Sequence, residues 1–199
     1  MTILVSDTSV LIDLERGELI ECAFKLSATF AVPDVLYERE LREYGGDELL
    51  KLGLKVESLD GEGVAMAMRH RQAQRQLTVP DSFALALAKL NGWTLLTGDG
   101  PLRELARAES VDCHGVLWLL DEFETQGAAT HLQLHSGLEK ISSHPRCRLP
   151  RQEIASRLSR YMIHTWTPPL CQALFQFCLA GRKLQPYIRP HSAASSRGP

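Results

Sequence analysis

Residues 79–99, VPDSFALALAKLNGWTLLTGD, run from a helix start through a glycine stop into a short apolar strand that ends on an acid. Pro80 suits the first helical turn, where its missing amide hydrogen is not needed, and Asp81 beside it favours the positive end of the helix dipole. Gly92 stands just past the helix end, and "WTLLTGD" then reads as a strand entering a turn. A helix handing directly to a strand is half of a crossover, the unit of a parallel sheet covered by helices on both faces.

The same alternation extends in both directions. Upstream, "TILVS" is a strand, followed by the helical pattern "SVLIDLERGELIECAFKL", in which Leu11, Leu14, Ile20 and Phe24 share a face. "TFAVP" is a second strand and "DVLYERELREYG" a helix stopped by Gly45 and Gly46. "LKVESL" is a third strand, followed by the amphipathic helix "GEGVAMAMRHRQAQ", with Val64, Met66 and Met68 near its start and a basic end. Downstream, "PLRELARAE" is a helix, "VDCHG" a short strand and "VLWLLDEFETQG" a helix, with Trp93, Trp118, Leu119 and Leu120 assigned to core or dimer surface. After Gly127 the strands stop. "AATHLQLHSGLEKISS" and "PRQEIASRLSRYM" predict two more helices. The expected organisation is a domain over 1–127, a helical extension over 128–162 that covers it or dimerises, and a flexible or non-native tail over 163–199.

The chain of 199 residues is 44% hydrophobic and 23% charged, enough for one core with a small appendage. No apolar run approaches the roughly 18 residues of a membrane span, and "LCQALFQFCLA" is too short and carries two glutamines. "MTILVSDTSV" lacks the basic region and long apolar segment of a secretory signal, which places the protein in the cytoplasm. Cys22, Cys113, Cys147, Cys171 and Cys178 are odd in number and form no CxxC pair, which fits a reducing compartment rather than a disulfide framework or zinc ribbon. The net charge of −2 hides a division: residues 1–140 hold 13 basic and 23 acidic side chains, residues 141–199 hold 9 and 1. The acidic part is not an electrostatic nucleic-acid binder by itself; the basic part can pair with it or with an anionic partner.

In an open parallel sheet, ligands collect beyond the carboxyl ends of the strands, where strand order reverses. Asp7 ends the first strand, Glu38 and Glu40 lie on the helix after the second, Asp81 lies in the first turn of its helix and Asp99 follows "TLLTG". Like charges gathered there repel unless a cation neutralises them. A hard ion such as Mg²⁺ or Mn²⁺ suits that donor set, and with it such a site activates water against a phosphodiester without a covalent nucleophile. On an α-helix, side chains two apart diverge by about 200°, so only one of the two glutamates can face the pocket. Tyr37 and the apolar residues before it favour Glu38, whereas Leu41 favours Glu40; Glu38 is the assignment taken forward.

"LVSDTSVLIDL", "VPDVLYEREL" and "TVPDSFALALAKLNGWTLLTGDGPLRELA" together resemble the PIN-domain nucleases, in particular the VapC-like ribonuclease toxins of type II toxin–antitoxin systems. The resemblance covers roughly residues 2–125. It implies a three-layer α/β/α sandwich with a parallel central sheet, here with a helical C-terminal extension, and RNA cleavage dependent on Mg²⁺ or Mn²⁺. It also implies a protein antitoxin and a homodimer. Carried over by position, the metal-ligating and catalytic set is Asp7, Glu38, Asp81 and Asp99, with Ser9, Thr97 and Glu40 in supporting places.

Blander roles compete for each residue. Asp7 ahead of Thr8 and Ser9 suits a helix cap, Asp81 a helix N-terminus and Asp99 a turn. His131 and His135 are four apart but lack the neighbouring glutamate of a zinc-protease helix, so they read as surface or interface residues. Arg69, Arg71 and Arg75, like Arg146, Arg148 and Arg151, suit either phosphates or a solvated face. A haloacid-dehalogenase-type phosphatase would need an acid two residues after Asp7, where Ser9 stands. A PIN-like fold kept for binding RNA or protein without catalysis is the alternative from another class.

Overall fold

The computed structural model describes residues 2–165; the remainder of the segment expected as a tail lies outside the described residues. Five strands form one parallel sheet in the order β3-β2-β1-β4-β5: β1 (Thr2–Ser6), β2 (Ala28–Pro33), β3 (Lys55–Glu57), β4 (Thr94–Leu96) and β5 (Cys113–His114). The chain moves outward from β1 to β3, crosses back and adds β4 on the other side of β1. β1 and β4 therefore flank the point where strand order reverses, paired in the register Leu4–Thr94, Val5–Leu95 and Ser6–Leu96. Side chains alternate between the sheet faces. Leu4, Phe30, Val32 and Leu96 join one hydrophobic cluster, while Val5 and Leu95 join another on the opposite face.

The helices are α1 (Thr8–Arg16), α2 (Ile20–Ala23), α3 (Asp34–Leu36), α4 (Gly46–Leu52), α5 (Gly61–Ala73), α6 (Val79–Asn91), α7 (Gly100–Ala108), α8 (Val116–Thr125), α9 (His131–Ser143) and α10 (Arg151–Thr165). One layer takes α1, α2, α8 and α9; the other takes α5, α6 and α7. With the parallel sheet between them they make the α/β/α sandwich, and α9 and α10 make its C-terminal region helical. Leu134, Leu138, Ile141 and Tyr161 from these two helices are buried in the same cluster as Leu11, Leu14 and Leu119. Leu120 is also buried there, whereas Trp93 and Trp118 are half-buried.

The opening segment forms as read. Thr78 caps α6 in a reciprocal box with Asp81, and Gly92 ends it at φ +65°. Three details differ. The long helix expected after β1 stops at Arg16, because Glu18 takes a left-handed conformation (φ +55°) and the amides of Glu18 and Leu19 return to the carbonyls of Glu15 and Leu14. The buried face of α5 is Gly63, Ala67 and His70, while Val64 and Met68 are exposed. Small residues there let α6 approach, and a β-carbon on Gly63 would meet Leu90 at 3.0 Å. Finally, after α3 the chain forms a π-helical turn over Tyr37–Leu41, closed by the Arg42 amide donating to the Tyr37 carbonyl over 2.9 Å. That wider turn brings Leu36 and Leu41, five apart, into the core together.

Close approach also fixes α9. A β-carbon on Gly137 would stand 2.5 Å from Leu19 Cδ1 and 2.9 Å from the Gly17 carbonyl oxygen, so the backbone itself would have to move. Gly137→Ala is expected to lower stability by about 1–3 kcal/mol, read from the urea unfolding midpoint.

Candidate functional site

Because all strands are parallel, their carboxyl ends share one edge, and the chain leaves each strand there into polar residues. Asp7 follows β1 and caps α1, its Oδ1 accepting from the Val10 amide over 3.0 Å and from the Ser9 hydroxyl over 2.7 Å. Its Oδ2 accepts from the Thr97 hydroxyl, which in turn accepts from the Asp99 amide over 2.9 Å. Ser9 Oγ accepts from the Gly98 amide over 3.0 Å. The stretch Thr97, Gly98, Asp99 is therefore stitched to the start of α1 by two hydroxyls. Gly98 is glycine for a local reason, since a β-carbon there would stand 2.9 Å from Ser9 Oγ.

Asp99 caps α7, accepting from the Leu102 amide over 3.1 Å. Asp81 accepts from the Thr78 amide over 3.0 Å and the Thr78 hydroxyl over 2.6 Å. All three aspartates thus fill the capping roles that a bland reading assigns them, at three helix starts on one edge.

The two glutamates part company. Glu38 points outward, with its side chain 53% exposed and paired with Arg42. Glu40 is half-buried and accepts from the hydroxyl of Thr8, the residue after Asp7. The glutamate directed toward the acidic edge is Glu40, in place of the expected Glu38. In a helix that buries Leu36, Tyr37 and Leu41, Glu40 lies about 40° around the axis from Leu36 and Glu38 about 200°, so the helical period itself favours Glu40. Neighbours in sequence favour Glu38, but its place around the helix does not. Thr8 and Thr78 are the neighbours that the sequence reading missed. The T-x-x-D spacing signals Thr78, whereas nothing local marks Thr8 as a partner of a residue 32 positions away.

Asp7 is only 2% exposed, and burial is the main cause that pushes its carboxyl from the ordinary 3.8 up to about 6. The hydrogen bonds from Thr97, Ser9 and Val10 oppose that rise, while the charge of Asp81 adds to it. Asp81 is thus within electrostatic reach of Asp7. The donors along this edge are carboxylate and hydroxyl oxygens, chemistry that fits a hard divalent cation. As placed, each aspartate faces its own cap, and among the described residues no three His, Cys, Asp or Glu side chains stand close enough to hold a metal ion. The charge on buried Asp7 is the feature that a cation would relieve. His131 and His135 take no part, facing Glu124 and Glu139 respectively.

A carboxyl whose folded pKa lies above its unfolded value makes the folded state less stable as pH rises through that interval. Stability is therefore lost between about pH 4 and pH 6 and stays lost above it. Asparagine keeps the cap and removes the charge. In the presence of EDTA, Asp7→Asn is expected to be more stable than wild type at pH 8, by on the order of 2–3 kcal/mol, and no more stable near pH 4. Urea unfolding at the two pH values reads this.

Among the described residues no helix is long and apolar enough to cross a membrane. Comparison with solved structures gives a PilT N-terminus domain protein from the hyperthermophilic archaeon Sulfolobus solfataricus P2, at 14% identity and TM-score 0.41 over 61% of this chain and 92% of the other. A protein from Pyrobaculum aerophilum, PAE2754, matches at 18% identity and TM-score 0.43 over 63% of this chain and 98% of the other. A search of curated proteins gives no match. The family model DUF3368, described as a PIN domain, matches residues 3–162, that is, the sheet, both helical layers and nearly all of α10. The chain belongs to the PIN-domain family.

Proposed function

We propose that this PIN-domain protein is a metal-dependent endoribonuclease that hydrolyses RNA phosphodiester bonds. The observation that carries the reading is the joining of Asp7 to the Thr97–Asp99 turn across the strand-order reversal, with Asp81 near enough to raise the Asp7 pKa. In this reading Asp7, Asp81, Asp99 and Glu40 hold Mg²⁺ or Mn²⁺, and Ser9, Thr97 and Thr8 orient the carboxylates. Bound there, the cation supplies water activation and neutralises charge developing on the phosphate. The chain's own contribution is placement. Two hydroxyls hold the Asp7 carboxylate in one orientation, and the N-termini of α1 and α7 stabilise negative charge at the edge. The ordered motifs around the acids further support a VapC-like toxin, controlled by an antitoxin protein and acting as a homodimer. The activity is proposed for the cytoplasm, where the free thiols of Cys22, Cys113 and Cys147 stay reduced.

A non-catalytic binding module is the second reading, favoured by one observation: each aspartate is already satisfied by its own helix cap. Cleavage assays separate the two. With Mg²⁺ or Mn²⁺, wild type is expected to cut RNA, and Asp7→Asn, Asp99→Asn and Glu40→Gln to lose roughly a hundredfold or more. Glu38→Gln is expected to cleave like wild type. Retained cleavage in both aspartate variants would overturn the site, and an inactive wild type that binds no Mn²⁺ by calorimetry supports the binding module.

A further inference from the structure

An acidic edge repels the RNA strand it has to hold, so a nuclease of this kind needs cationic contacts set apart from its carboxylates. The C-terminal end of α5 and the loop after it offer them. Arg71 and Arg75, with Gln72, line a concavity of about 400 Å³. All three are exposed, and neither arginine has a carboxylate within ion-pair distance among the described residues. Lys25, Arg39, Lys55, Arg69, Arg103 and Arg107 likewise have no carboxylate partner among the described residues, so what sets Arg71 and Arg75 apart is that they share one concavity. Arg16 and Arg42, by contrast, each pair with an acid on their own helical turn.

The position in the fold gives the pair a direction. Arg75 stands three residues before Thr78, which spans at most about 11 Å of chain. The Thr78 amide lies 3.0 Å from the Asp81 carboxylate. Arg75, and with it the concavity it shares with Arg71, is therefore tied by a short length of chain to the α6 start of the acidic edge. A guanidinium presents a planar fork of donors that matches phosphate oxygens, and it stays charged at every working pH.

We propose that Arg71 and Arg75, with the Gln72 amide, grip the phosphate backbone of a single-stranded RNA substrate and lead it across the acidic edge. This rests on the ribonuclease reading above, and places the positioning contacts for that reaction at the end of α5 and in the loop that follows it. The side chains touch phosphate rather than base, so the grip is indifferent to sequence.

The test is binding of a short fluorescent oligouridylate to the full-length protein in EDTA, followed by anisotropy over a salt series. Arg71→Gln/Arg75→Gln is compared with Lys25→Gln/Arg107→Gln, which removes the same charge from chain segments leading into β2 and β5 at the opposite edge of the sheet. The first variant is expected to bind roughly tenfold more weakly at low salt. Its slope of log K against log salt should fall by about 1.4, the value for two phosphate contacts on a single strand. The control should bind like wild type, and both should keep the wild-type unfolding midpoint. In cleavage assays KM should rise more than kcat falls. Equal loss in the control, an unchanged slope in the arginine variant, or no binding by wild type would overturn the proposal. Arginine-dependent binding without cleavage in Mg²⁺ or Mn²⁺ would support the grip and refute the ribonuclease reading; cleavage with KM and affinity independent of both arginines would do the reverse.

Discussion

The hydrogen bond from Thr97 to the buried Asp7 carboxylate joins the two strands on either side of the strand-order reversal. The Asp7 amide also donates to the Leu96 carbonyl over 2.9 Å, so the last backbone bond of the β1–β4 pair and the side-chain bond beyond it come from one residue. Ser9 and Gly98 close the same junction from the helix side. An ionised carboxylate held away from water needs every such donor. The geometry of the edge follows from meeting that need: a hydroxyl at 97, a hydroxyl at 9 and no side chain at 98.

Capping and charge collection are two consequences of one arrangement here. The helices of a parallel sheet start beyond the strands' carboxyl ends, and their free amides attract carboxylates. Asp7, Asp81 and Asp99 are each drawn to a different helix start, which lets several negative groups share an edge that would otherwise drive them apart. The same amides and hydroxyls compete with any cation for those oxygens. A bound ion would have to share the carboxylates with their caps, and asparagine at these positions separates the two roles.

The C-terminal helices explain part of the uneven charge. Arg157 places Nη2 2.5 Å from Asp121, and Arg160 reaches both Asp121 and Glu124 of α8. Some of the basic excess beyond residue 140 is therefore neutralised within the fold, by the acids of α8. These pairs are partly exposed and add little individually. Burial of Leu134, Leu138, Ile141 and Tyr161 is what holds α9 and α10 in place.

What the sequence determined alone is whatever local chemistry decides. Thr78, Pro80, Asp81 and Gly92 specify where α6 begins and ends, because caps and left-handed glycines act within a few residues. The alternation of strands and helices likewise specifies the parallel sheet, and with it the edge on which Asp7 and Asp99 lie. Tertiary structure decided what depends on neighbours distant in the chain. Leu36 and Leu41 reach the core together across a π-turn, and the bond between Glu40 and Thr8 joins residues 32 positions apart. The tight α5–α6 contact likewise selects Gly63 and Ala67 over Val64 and Met68 for its buried face. Local pattern supplies neither the α6 surface nor the Thr8 hydroxyl, because packing against another element sets the phase of a helix, and only the folded chain supplies that element.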